Sequence, residues 1–256
     1  MVSLAAMRFV YEPFPVGYAS SVFPPDVYRE LLATWPAKDL FEFKAGLGKK
    51  YSLSEVSNRD AYHSFIRSSP PWRRFYEWTK SGSFVRQVRD LLASQGIDLG
   101  LQSVPINTVH YLSPWTQQLR HQMRKRLRRL SAHRSVLSTR FEFSMLPADG
   151  GCIKPHTDSA TKLITLVLSM VDDGVWDARW GGGTAILRPK DATQNFNFVN
   201  RQMEFTDCEA LQTFPFRPNQ CLLFVKTFNS HHAVYPITGH GSEAMRQTLT
   251  INIERS

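Results

Sequence analysis

The spacing of apolar residues changes character near position 137. Before it, apolar positions recur at helical intervals. Val27, Tyr28, Leu31 and Leu32 follow Pro24-Pro25-Asp26 and stop at Trp35-Pro36, which predicts a short amphipathic helix. Phe84, Val85, Val88, Leu91 and Leu92 predict a second over 83–94, with Gly96 just past its end. A third is predicted over 114–134, where Ser113-Pro114 makes a good start and Leu119, Met123, Leu127 and Leu130 recur every three or four residues. The aromatic stretch from Pro70 through Trp72 to Trp78 reads as packed helix rather than substrate lid. Beyond 137, short apolar runs at 140–146, 163–171, 184–188, 221–226 and 246–253 are separated by Gly, Pro, Asn and Asp. Short strands with no helical pattern between them predict a sandwich, barrel or jelly roll. The expected organisation is a helical supporting region, 1–136, and a β core, 137–256, in one compact domain of mainly β class with α.

Composition adds one local feature to this picture. With 256 residues, 42% hydrophobic and 21% charged, the chain is of ordinary globular make-up, which excludes wholesale disorder, collagen-like repeats and coiled coil. The net charge of +9 is not spread evenly. Seven basic residues, Arg120, Arg124, Lys125, Arg126, Arg128, Arg129 and Arg134, fall in the third predicted helix, and 114–134 contains no acid at all. Three readings of this basic amphipathic helix stand side by side: a solvated face, a surface collecting an anionic substrate through Arg124 and Arg128, and a nucleic-acid or membrane-surface module. The lack of interleaved aromatics or a recognised motif argues against nucleic acid. Cys152, Cys208 and Cys221 are widely spaced, with no CxxC pair, so neither a disulfide framework nor a zinc cluster is expected. No leader-like segment and no apolar run of about 20 residues stands out, so a cytoplasmic location without a transmembrane segment is expected.

The candidate chemistry lies in the second half. His156-Thr157-Asp158 follows a turn containing Gly150-Gly151, and in extended backbone residues i and i+2 share a side, so both could grip one ion. Asn229-Ser230-His231-His232 offers a third ligand after the apolar strand at 221–226. Two imidazoles and one carboxylate leave positions open on an octahedral iron, which suits oxygen chemistry. Catalytic zinc uses the same donors, so ligand type alone leaves the metal open. Arg246, with Thr248 on the same face of the last strand, needs an anion: a bound carboxylate, or an internal Asp or Glu. His231 reads as a loop residue facing water. Trp176 and Trp180 flank a long turn and read as lining a substrate pocket at the barrel mouth.

Taken in order, these pieces resemble the iron(II)- and 2-oxoglutarate-dependent dioxygenases, in their prolyl-4-hydroxylase-like branch, over 137–256. The resemblance rests on Pro155-His156-Thr157-Asp158, the strand 162–170, the turn Trp180-Gly181-Gly182-Gly183-Thr184, Arg217-Pro218-Asn219-Gln220 before Leu222-Leu223-Phe224, and His232-Ala233-Val234-Tyr235-Pro236-Ile237. Two departures stand out. The glycine usual after Asn219-Gln220 is missing, and Ser144-Met145-Leu146 occupies a place where the family often has a Tyr. The resemblance implies a double-stranded β-helix (jelly roll) with Fe(II) on His156, Asp158 and His232, and it selects His232 over His231. It implies 2-oxoglutarate on Arg246, assisted by Thr248 and Thr165, with O2 as second cosubstrate and ascorbate as an auxiliary reductant. The implied reaction releases succinate and CO2 and hydroxylates a C–H bond, since Asp158 stands where halogenating members have a small residue. The expected substrate is an anionic small molecule, sugar or carrier-bound group. A prolyl-type peptidyl hydroxylase is the alternative within the class, and a non-enzymatic metal-binding β-barrel module the alternative outside it.

Overall fold

The structure, a computed structural model, describes residues 1–128 and 135–255, with the side chains of 126–128 left aside. Among the described residues, twelve strands and five α-helices follow in the order β1 (Arg8–Val10), β2 (Val16–Ser20), α1 (Pro25–Ala33), β3 (Glu42–Lys44), β4 (Lys50–Ser54), α2 (Arg59–Ser68), α3 (Pro70–Thr79), α4 (Gly82–Ser94), α5 (Trp115–Arg128), β5 (Leu137–Pro147), β6 (Ile153–His156), β7 (Lys162–Ser169), β8 (Thr184–Pro189), β9 (Cys208–Phe214), β10 (Gln220–Val225), β11 (His232–Val234) and β12 (Met245–Arg255). An eight-stranded antiparallel sheet, β1-β2-β10-β7-β12-β5-β4-β3, faces a four-stranded one, β6-β11-β8-β9. The fold class is therefore mainly β with helices, as the apolar pattern implies.

The five strand segments expected after 137 are all present, and the three expected helices begin within a residue or two of their predicted starts. One expectation is corrected. The first 136 residues are not only helices and turns, because β1 to β4 lie there and complete both edges of the large sheet. Their partners are remote: Leu222 of β10 opposes Tyr18, and Phe143 of β5 opposes Leu53. Such short strands are held by distant neighbours rather than by their own periodicity, which hides them from a local reading.

Alternation along β5 and β12 separates two environments. On the outer face, Phe141, Phe143, Leu249, Ile251 and Ile253 are fully buried against the helices, where α3 contributes Trp72, Phe75 and Tyr76. The Pro70-to-Trp78 segment is thus packing, as expected. Phe143 anchors this core, its ring centroid 4.7 Å from Trp72, 5.2 Å from Trp35 and 5.6 Å from Phe65. On the inner face, Ser144, Thr165, Thr248 and Asn252 are buried polar groups. Leu222 and Phe224 close the space against Ile186 and Phe214 of the smaller sheet.

Helix α5 behaves differently from the others. Met123, on its expected apolar face, is 56% exposed, and Arg124 is exposed without a partner among the described residues. Arg129, Leu130 and Arg134 lie outside the described residues, and the side chains of Leu127 and Arg128 likewise. Among the described residues no helix is long and apolar enough to cross a membrane.

Truncating Phe143 to Ala removes the ring that five other aromatic side chains pack around. A loss of about 3–5 kcal/mol is expected, read from the denaturation midpoint at unchanged m-value; a loss under about 1 kcal/mol would contradict this account of the core.

Candidate metal and anion site

Two imidazoles are brought together by strand pairing. His156 closes β6 and His232 opens β11, and the two stand directly opposite in register, with ring centroids 4.4 Å apart. Asp158 completes the group by a turn. The expectation that His156 and Asp158 share one side of an extended strand is corrected, because β6 ends at His156 and Asp158 adopts the left-handed conformation, φ 70°. Asp tolerates this region better than most residues, at a cost the surroundings must offset. One donor atom from each of His156, Asp158 and His232 lies within 4.8 Å of the others. That donor set fits a divalent metal.

Local contacts orient each donor. His156 Nδ1 is 2.9 Å from the Lys154 carbonyl and His232 Nδ1 is 3.0 Å from the Ser230 carbonyl. Each carbonyl accepts the Nδ1–H, which leaves both Nε2 atoms as free donors to a metal. Phe224 stacks on the His232 ring at 4.8 Å and 10°. Burial pushes the His156 pKa down to about 3, with His232 beside it adding to the effect, and burial lowers His232 as well. Both imidazoles are neutral at neutral pH, the ligating form. Burial alone would raise the Asp158 carboxyl. Lys162, His232 and His156 more than offset this and hold it well below the usual carboxylate range. Lys162 Nζ is 2.6 Å from Asp158 Oδ1, and Thr165 Oγ1 is 3.1 Å from Oδ2 and 3.0 Å from Asn252 Oδ1. A hydroxyl carries one proton, so Thr165 donates to one of these at a time.

The other end of the inner space holds Arg246, 4% exposed. Its Nε donates to the Gly182 carbonyl at 2.5 Å, its Nη2 lies 3.4 Å from Thr184 Oγ1, and its guanidinium sits 4.9 Å from the Phe216 ring centroid. No Asp or Glu partners it among the described residues, so the internal-acid alternative has no support. Burial alone pushes its pKa down to about 10. Gly182 is required here: with φ +78°, an added Cβ would come 2.8 Å from the Trp176 ring and 3.3 Å from Arg246 Cδ.

The other expected residues divide. Thr248, buried two positions along β12, shares the face of Arg246. Thr165 does not join it, because its hydroxyl is committed to Asp158 and Asn252. Trp176 and Trp180 form an edge-to-face pair at 5.4 Å and pack with Leu146, Val234 and Ile237. Trp176 also meets Phe216 at 5.2 Å, and Phe216 lies against the Arg246 guanidinium, which sets Trp176 beside the Arg246 end. His231 is 0% exposed, not water-facing, with Nδ1 3.3 Å from the Asn229 carbonyl and Nε2 unpartnered among the described residues. Thr184 and Lys162 were missed as contacts, although Thr184 closes the Gly-Gly-x-Thr turn and Lys162 is four positions after Asp158. Also unforeseen is a brace in which Lys226 Nζ donates to Thr157 Oγ1 at 2.9 Å, while that hydroxyl donates to the Asn197 carbonyl.

No family model matches the chain, and no curated protein matches it. Solved structures do. A prolyl 4-hydroxylase from Phytophthora capsici is similar at 14% identity with TM-score 0.50, over 93% of this chain and 58% of that one. The non-heme alpha-ketoglutarate-dependent epimerase SnoN of nogalamycin biosynthesis is similar at 14% identity and TM-score 0.50, over 93% and 78%. A Pseudomonas putida prolyl-4-hydroxylase matches at 12% identity and TM-score 0.44, over 94% and 92%. At these identities the likeness is one of architecture. The chain has the fold used by prolyl 4-hydroxylases and by a 2-oxoglutarate-dependent epimerase.

Proposed function

We propose that this protein is an iron(II)- and 2-oxoglutarate-dependent oxygenase that hydroxylates a C–H bond, its two facing sheets forming a double-stranded β-helix. Arg246 carries the reading. A buried guanidinium without a counter-ion is costly, and the cost is relieved by an anion that binds there. A catalytic or structural zinc on the same three ligands leaves Arg246 unexplained. A dicarboxylate reaching from the His156, Asp158 and His232 group to Arg246 accounts for both ends of one space.

His156, Asp158 and His232 would hold the iron, a two-histidine, one-carboxylate set that leaves room for further ligands. Bound there with 2-oxoglutarate and O2, iron supplies the oxidising power for hydroxylation, with release of succinate and CO2. The chain's own residues prepare the site. The Lys154 and Ser230 carbonyls fix the imidazole tautomers. Lys162 and Thr165 keep Asp158 ionised and oriented. Arg246 receives the far carboxylate with Thr184 and Thr248 beside it. Trp176, Trp180 and Phe216 keep water from that end, which strengthens the charge-assisted contacts. Asp158 fills the position that a halide would need, which favours hydroxylation.

Purified protein with added Fe(II) in air is expected to convert 2-oxoglutarate to succinate even without prime substrate, and Asp158→Ala to abolish this. Zinc binding without iron-dependent turnover, or turnover that survives Asp158→Ala, overturns the assignment. Arg246→Gln removes the charge without burying a new one. It is expected to raise the KM for 2-oxoglutarate roughly 10- to 150-fold while leaving metal affinity, measured by titration of the metal-free protein, unchanged. An unchanged KM would remove Arg246 from the cosubstrate site.

A further inference from the structure

A cavity of about 360 Å³ opens between α2, α3, the segment 107–111, the start of β5 and the end of β12. Its size is that of a small-molecule site. Two of its wall residues lie in register, across the sheet, with residues that contact Asp158. Arg140 on β5 stands opposite Asn252 on β12, Asn252 opposes Thr165, and the Thr165 hydroxyl contacts Asp158. Glu254 opposes Lys162, whose ammonium is 2.6 Å from Asp158.

The charges of the cavity do not cancel. Lys80 pairs with Glu55 at 2.7 Å, and Arg140 Nη2 pairs with Glu254 at 2.7 Å. That leaves Arg59 on the wall with no partner among the described residues, and the buried Nε–H of Arg140 with no acceptor. His63 and His110 are held neutral by burial and add no further charge. The balance is one surplus cation and one orphaned donor. The rest of the wall is ring surface. Tyr111 stacks on His63 at 3.8 Å and 10°, and Tyr76 meets Tyr111 edge-on at 5.1 Å.

From this we infer that the cavity binds a small ring-bearing carboxylate, its carboxylate on Arg140 and Arg59 and its ring against Tyr76 and Tyr111. A single surplus cation matches one negative charge, whereas a phosphate monoester would bring nearly two. This inference is independent of the oxygenase reading above.

Metal-free protein titrated with benzoate and 4-hydroxybenzoate, and with the matching carboxamides, followed by saturation-transfer NMR, tests this. The acids are expected to bind roughly tenfold or more tighter than the amides. The preference is expected to vanish in Arg59→Gln, which removes the surplus cation, and to fall in the charge-balanced double variant Arg140→Gln, Glu254→Gln, which removes the orphaned donor, with near-UV circular dichroism reporting on its fold. It is expected to persist in Arg246→Gln. Equal binding of acid and amide by the wild-type protein overturns the inference without recourse to any variant. So does a preference that survives Arg59→Gln and disappears with Arg246→Gln, which would place the carboxylate at the other end. Because no metal or 2-oxoglutarate is present, either result is independent of the turnover assay.

Discussion

The pairing of β12 with both of its neighbours is the constraint on which the rest depends. Eleven residues of this strand run beside β5, and Thr248 to Glu254 run beside β7. Alternation then sorts its side chains. Leu249, Ile251 and Ile253 enter the helical core, while Arg246, Thr248, Asn252 and Glu254 take the opposite face. One strand thus spaces the buried guanidinium, the contact behind Asp158 and the rim of the cavity. A slip of one residue would exchange the two sets, placing a guanidinium in the aromatic core and leucine and isoleucine in the polar space. The apolar face is what forbids the slip, so the packing of Phe143 and its neighbours also fixes where the chemistry lies.

Charge is balanced to different degrees in three places. At Asp158, Lys162 supplies a local cation, and the carboxylate stays ionised despite burial. At the cavity two ion pairs nearly balance the wall. At Arg246 nothing balances it. The isolated cation is shielded by Phe216 and by backbone and hydroxyl acceptors that relieve its hydrogen bonding without neutralising it. The contrast between the ends separates residues that complete one another from residues that await a ligand.

Much of the β core was legible in the sequence because its central strands are long, apolar and self-declaring: 163–171 and 246–253 reappear as β7 and β12 with small shifts at the ends. The strands that escaped are β1 to β4, β6, β9 and β11; all but the seven-residue β9 have at most five residues, and most take their shape from partners far along the chain. The site shows the same division. His156, Asp158, His232 and Arg246 could be singled out because each is a residue type with few other reasons to be buried. Thr165 meets Asp158 and Asn252, contacts the sequence did not show, because face and depth along a strand are both needed and the sequence supplies only the face. His231 and His232 are indistinguishable by composition. The register of β11 against β6 distinguishes them, turning His232 toward His156 and leaving His231 fully enclosed. The cavity beside α3 left no sequence signature, since it joins residues from 55 to 254.

The two imidazoles illustrate a difference between local and collective order. Each ring takes its tautomer from a carbonyl two positions earlier in its own chain segment, so that part of the arrangement forms wherever the segment forms. Their meeting is another matter, since 75 residues separate His156 from His232 in the sequence and a three-residue strand carries the second. The donors are therefore prepared separately and joined only when the smaller sheet closes. A partly folded chain carries all three ligands, correctly protonated, and still has no centre. Capacity to hold a metal is in this sense a property of the closed sheet, and it rises and falls with it.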